Sequence, residues 1–188
     1  MENICGTFNS KILDKADVIA RTVISQQDFY FSEDCNENHK QLLETMIGAA
    51  IWYLPQGKEL WTGDISIDSL KRIFESDEPN KITLTKDHHY PRKVAAAELF
   101  KLKWSTFLSP AEEVLQRYQN IYGRYNLVLP EENKRLVKYQ KGIIFTSPED
   151  SYRKAGINLR NITEEQLNQI KKGDRYLTEL VISNQIKS

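Results

Sequence analysis

At 188 residues, 40% apolar and 28% charged, the chain has room for one domain with a real core and an ordinary soluble composition. Lys and Arg balance Asp and Glu at 26 each, which excludes a protein that coats nucleic acid through bulk charge. No run of about 18 apolar residues occurs, so no membrane span is expected. No basic flank precedes an apolar stretch near the first residues, so a secretory leader is not expected and a cytoplasmic setting is.

The first helical pattern runs through Leu13, Ala16, Val18, Ile19, Val23 and Ile24 and fades near Gln26. A polar turn at Cys35–Asn38 leads to a stronger one, Leu42, Leu43, Met46, Ile47, Ala50, Ile51 and Leu54, read as a core-facing stripe that Pro55 and Gly57 stop. Trp61-Thr62-Gly63-Asp64 reads as a turn, Ile67 to Phe74 as a short helix, and Ser76–Asn80 as a loop. Residues Ile82-Thr83-Leu84-Thr85-Lys86 alternate apolar and polar with β-branching, which predicts a half-buried strand. It ends on Asp87-His88-His89-Tyr90-Pro91. Two helices follow, one from Val94 to Lys103 and one opened by the capping box Ser109-Pro110-Ala111-Glu112. A second short strand is predicted at Tyr125–Leu129, and Pro130 with Glu131 and Glu132 marks the start of another helix. The remainder reads as helical, with starts at Ser147-Pro148 and Thr163 and stops at Gly156 and Gly173.

Charge is distributed unevenly. Residues 1–80 hold 14 acidic and 7 basic side chains, whereas residues 81–141 hold 6 acidic and 12 basic ones. Basic charge therefore coincides with the two strands, where a polyphosphate substrate gains from it. The plainer reading is an acidic helical layer compensating a basic one. Cys5 and Cys35 are the only cysteines and form no Cys-x-x-Cys pair, so two reduced thiols are expected.

Strand, long connection, strand and helix, with Asp87-His88 ahead of Pro91, Asn126 before Leu127 and Asn133 before Lys134-Arg135, resemble the HNH or ββα-metal endonucleases in a variant with Asn at the last position. The resemblance covers about a third of the chain. It implies an α+β fold, predominantly helical, with a small ββα-metal hairpin-plus-helix unit. On that basis residues 81–141 would be the nuclease unit, interrupted by a helical pair at about 92–122. Residues 1–80 would be an N-terminal helical layer, and 142–188 a C-terminal helical extension.

The resemblance implies that His88 is the general base and that Asp87 and Asn133 bind one Mg²⁺ or Mn²⁺ ion, since oxygen donors suit such cations. Asn126 would brace the backbone around His88, although Asn126 or Glu132 could instead be the second ligand. A slip of one residue would make His89 the base; otherwise it contacts substrate, together with Arg92, Lys93, Lys134, Arg135 and Lys138. The implied activity is metal-dependent hydrolysis of DNA, sequence-specific and restriction-like, with a homodimer cutting both strands. Two rivals stand beside it: an RNA-cleaving or nonspecific toxin-like nuclease, and a non-catalytic helical interaction module.

Overall fold

The structure is a computed structural model and describes residues 9–55, 57–141 and 144–183. Cys5 lies outside the described residues; Cys35 is a buried free thiol. The helices are α1 (Ser10–Phe31), α2 (Glu37–Ile51), α3 (Ile67–Glu75), α4 (Arg92–Phe100) and α5 (Pro110–Arg117). They continue with α6 (Pro130–Leu136), α7 (Pro148–Lys154), α8 (Glu164–Lys171) and α9 (Arg175–Ile182). The strands are β1 (Trp61–Ser66), β2 (Thr85–His88), β3 (Tyr125–Val128) and β4 (Leu159–Asn161). The chain is α+β, as expected. It divides into two compact units, Met1–Gly57 with Pro91–Gly123, and Lys58–Tyr90 with Arg124–Ser188.

The first unit is helical. Asn9 caps α1 by accepting from the Lys11 amide, and Asn36 caps α2 by accepting from that of His39. The first helix runs five residues past Gln26, where its apolar pattern fades. Tertiary contacts carry it on: Gln27 donates to the Phe100 and Leu102 carbonyls at 2.5 and 2.8 Å, and the Tyr30 ring stacks on Phe100 at 4.2 Å. The stripe of α2 is narrower than its sequence suggests. Ile47, Ile51 and Leu54 are buried, but Leu42 and Met46 are 60% and 55% exposed. Gly48 lets α2 approach α4 closely, because a Cβ there would lie 2.8 Å from the Arg92 carbonyl oxygen. The inserted helices α4 and α5 thus belong with α1 and α2, burying Ala95, Ala96, Leu99, Val114 and Leu115. The first stretch of this unit ends at Gly57, and residues 58–80 fall in the second unit.

The second unit holds a four-stranded sheet in the order β2-β3-β1-β4. Strands β2 and β3 pair antiparallel, β1 and β3 parallel, and β1 and β4 antiparallel. Neither β1 nor β4 is announced by an alternating apolar pattern. Trp61–Asp64, read as a turn, is the start of β1, and Gly63 at φ 90° sits within its irregular register against β3. Strand β2 lies further on than the alternating run that announced it. Ile82 and Leu84 instead pack against a core of Ile65, Leu70, Ile73, Ile162, Leu167, Ile170 and Val181, contributed by β1, α3, α8, α9 and the residue that follows β4. A second cluster, Val128, Leu136, Tyr152 and Ile157, joins β3 to α6 and α7. No helix among the described residues is long and apolar enough to cross a membrane.

Candidate functional site

Register decides which polar side chains meet. Asp87 stands opposite Asn126 and His88 opposite Tyr125 in the β2–β3 ladder. Directly opposed residues project to the same face and successive ones to opposite faces. Asp87 and Asn126 therefore share the face that also carries Val128 and its cluster with α6 and α7. His88 and Tyr125 share the other, with their rings 6.0 Å apart and the Lys86 ammonium 4.6 Å from the Tyr125 ring. Consecutive along the chain, Asp87 and His88 are not brought together.

Asp87 is 4% and Asn126 3% exposed. The Tyr152 hydroxyl donates to Asp87 Oδ2, and Gln140 Nε2 reaches Oδ1 and Oδ2 at 3.3 and 3.1 Å. Burial raises the Asp87 carboxyl above its usual range, and those two donors pull against it. Burial likewise raises Tyr152, followed by the negative charge of Asp87, so its phenol keeps its proton. Asn126 Oδ1 accepts from the Thr62 hydroxyl of β1 at 2.5 Å. Thr62 Oγ1 in turn accepts from the Asp64 amide, and Asn161 of β4 donates to Asp64 Oδ1 at 2.9 Å. Each carboxylate or amide is fixed by a neighbour on another strand or helix, so the arrangement is held stiffly.

His89 follows β2 with the parity of Asp87. It lines a cleft of about 390 Å³ together with Thr62, Asp64, Asn126, Glu149 and Tyr152. Burial lowers the His89 pKa; Glu149, Asn126 and Asp64 oppose that shift, whereas Arg124 adds to it. His88 is lowered to about 4, by burial first and then by Lys86. Both imidazoles are neutral at pH 7, the form that accepts a proton, but only His89 opens on the cleft.

The remaining expected site residues are dispersed. Asn133 is half-buried on α6, about two turns before Gln140, and Lys134, Arg135 and Lys138 are exposed. Arg92 and Lys93 begin α4 in the helical unit. Glu132 is 1% exposed and is a structural cap: it accepts from the Leu129 amide at 2.8 Å and from the Ser66 hydroxyl at 2.5 Å. A Mg²⁺ or Mn²⁺ ion needs accessible oxygen donors with room for retained water. Asp87 spends its oxygens on Tyr152 and Gln140 in a buried position, so the Asp87–Asn133 pair as arranged does not fit such an ion. Among the described residues no group of three or more His, Cys, Asp or Glu side chains is arranged to hold a metal.

Thr62, Asp64, Gln140, Glu149 and Tyr152 were not visible as site residues in the sequence. Thr62 and Asp64 sat in a stretch read as a turn, and Tyr152 in a short helix with no pattern to set it apart. The fold and cleft define an α+β protein with a stiff polar site on one sheet face. No family model matches the chain, and no curated protein or solved structure matches it.

Proposed function

We propose that this protein is an endonuclease that hydrolyses phosphodiester bonds in DNA, with His89 as its general base. One observation carries the reading: a neutral imidazole opens into a polar cleft beside a buried, immobilised carboxamide, Asn126. The antiparallel pairing of β2 with β3, followed by α6, adds support, because it is the order behind the resemblance to the HNH endonucleases. In the step itself His89 takes a proton from a water molecule, the water oxygen bonds to phosphorus, and the bond to the leaving sugar oxygen breaks as that oxygen takes a proton from solvent water. Arg124, within electrostatic reach of His89, supplies positive charge toward the phosphate.

The test is cleavage of plasmid DNA and of RNA by the whole chain, in Mg²⁺, in Mn²⁺ and in chelator, with His89→Gln and His88→Gln beside the wild type. The expected result is DNA cleavage that His89→Gln lowers by about 10²-fold or more and His88→Gln leaves in place. Discrete fragments indicate a sequence-specific enzyme, for which a two-fold dimer supplies the second cut. Cleavage of neither nucleic acid overturns the reading, as does equal cutting by wild type and His89→Gln. Loss in chelator assigns a divalent ion to the reaction by a site other than the Asp87–Asn133 pair.

A further inference from the structure

The cleft is small and its walls are of two kinds. At about 390 Å³ it lies at the low end of the range of about 300–1,000 Å³ that small-molecule sites occupy. No stretch of duplex enters such a space with its bases stacked; a single nucleotide does. Pro148, Ile157 and Leu159 give it an apolar wall, suited to a base face, whereas Asp64, Glu149 and Asn126 give it polar edges. Asp64 and Glu149 line the same cleft as His89, and the negative charge of each acts on its imidazole. Ionised carboxylates accept hydrogen bonds and donate none. A base edge that meets them must bring donors.

We propose that the cleft binds one unpaired nucleotide of a single strand and prefers guanine, whose N1–H and N2–H₂ form two adjacent donors. Adenine and cytosine bring an amine each, and uracil or thymine a single ring N–H. The stiffness of the walls supports selection: Asn161 fixes Asp64, and Thr62 fixes Asn126. A base that turns acceptors toward these carboxylates is repelled by them, whereas one that brings donors pairs with them. Duplex DNA is then cut only where a nucleotide has left the stack. The inference rests on the cleft being the nuclease site and adds the class of substrate unit it takes.

Fluorescence anisotropy tests it, with labelled 10-nucleotide single strands of guanine-containing and guanine-free sequence, as DNA and as RNA, and the matching duplexes. The full chain carries His89→Gln and the buffer carries chelator, so that binding is read without cutting. Single strands containing guanine should bind at least tenfold more tightly than duplex or guanine-free strands. Asp64→Asn, checked for folding by circular dichroism, should erase the preference for guanine. Equal affinity for duplex and single strand, equal affinity with and without guanine, or no binding overturns the proposal. A wild type that cuts DNA but shows no such preference refutes this inference alone. A chain that binds guanine strands and cuts nothing refutes the nuclease reading alone.

Discussion

Asp87 and Asn126 stand opposite each other on β2 and β3 and are both buried on one face of the sheet. Each is held from outside the strand pair, Asp87 by Tyr152 of α7 and Asn126 by Thr62 of β1. The strand pair supplies the register, and its neighbours supply the orientation. This is why β1, which had no signature in the sequence, and α7 together decide where the cleft forms.

Removing the Tyr152 hydroxyl tests that dependence. Tyr152→Phe keeps the ring in its cluster with Val128, Leu136 and Ile157 and removes the donor to Asp87. The buried carboxyl is left with Gln140 alone. Losing one partner of a buried polar group costs about 1–3 kcal/mol. Urea unfolding should show a loss of that size with an unchanged m-value. A loss below about 0.5 kcal/mol would mean that Asp87 does not depend on the phenol.

Much of the architecture was legible because local signals agreed with the tertiary outcome. The capping boxes at Ser109 and Thr163, and Pro at the starts of α6 and α7, sat where helices begin. Strands β1 and β4 were hidden for a physical reason. Gly63 and polar residues at 62, 64, 160 and 161 carry no alternating apolar signal, since these strands gain their partners from the sheet and not from an apolar face of their own. The site was legible only in part. Asp87, His89 and Asn126 stood out by residue type, but an adjacent pair cannot declare which member faces the cleft. One residue of parity separates His88 from His89, and it is set by the pairing of His88 with Tyr125.

Glu132 offers a prediction about what the sequence left open. Its carboxylate satisfies the Leu129 amide at the start of α6 and takes the Ser66 hydroxyl, which also accepts from the Ser69 amide at the start of α3. Glu132→Ala leaves a buried amide without its partner and empties a filled site. The expected loss is about 2 kcal/mol or more, and Glu132→Gln, which keeps an acceptor oxygen, should lose less. Thermal melts of the two variants give the order. Equal losses would show that the ionised carboxylate, and not its size or one acceptor oxygen, is what the site needs.

The helical unit can be probed separately at Gly48. An alanine there would put its Cβ 2.8 Å from the Arg92 carbonyl oxygen, a backbone atom that cannot swing aside. Overpacking of this kind costs about 1–3 kcal/mol even though alanine favours a helix. Gly48→Ala should therefore lower the melting temperature, whereas a change at exposed Leu42, such as Leu42→Gln, should leave it within about 0.5 kcal/mol of the wild type. A stabilised Gly48→Ala protein would mean that α2 and α4 have room to separate.

His88 gives the pH dependence. Burial and Lys86 lower its folded-state pKa to about 4, against an ordinary value of 6.5. At pH 7 both the folded and the unfolded chain hold the ring neutral. As pH falls below about 6.5 the unfolded chain takes up a proton that the folded protein refuses, so stability declines until the folded ring also titrates near pH 4. His89, lowered as well, acts in the same direction. Asp87 acts against it, because a raised carboxyl favours the folded state as it takes its proton. Replacing His88 isolates one contribution from these. Urea midpoints measured at pH 7 and pH 5 should fall for the wild type and fall less for His88→Gln. An identical drop in the two proteins would show that the ring is not shielded on its face of the sheet, and the register that turns it away from the cleft would fall with it.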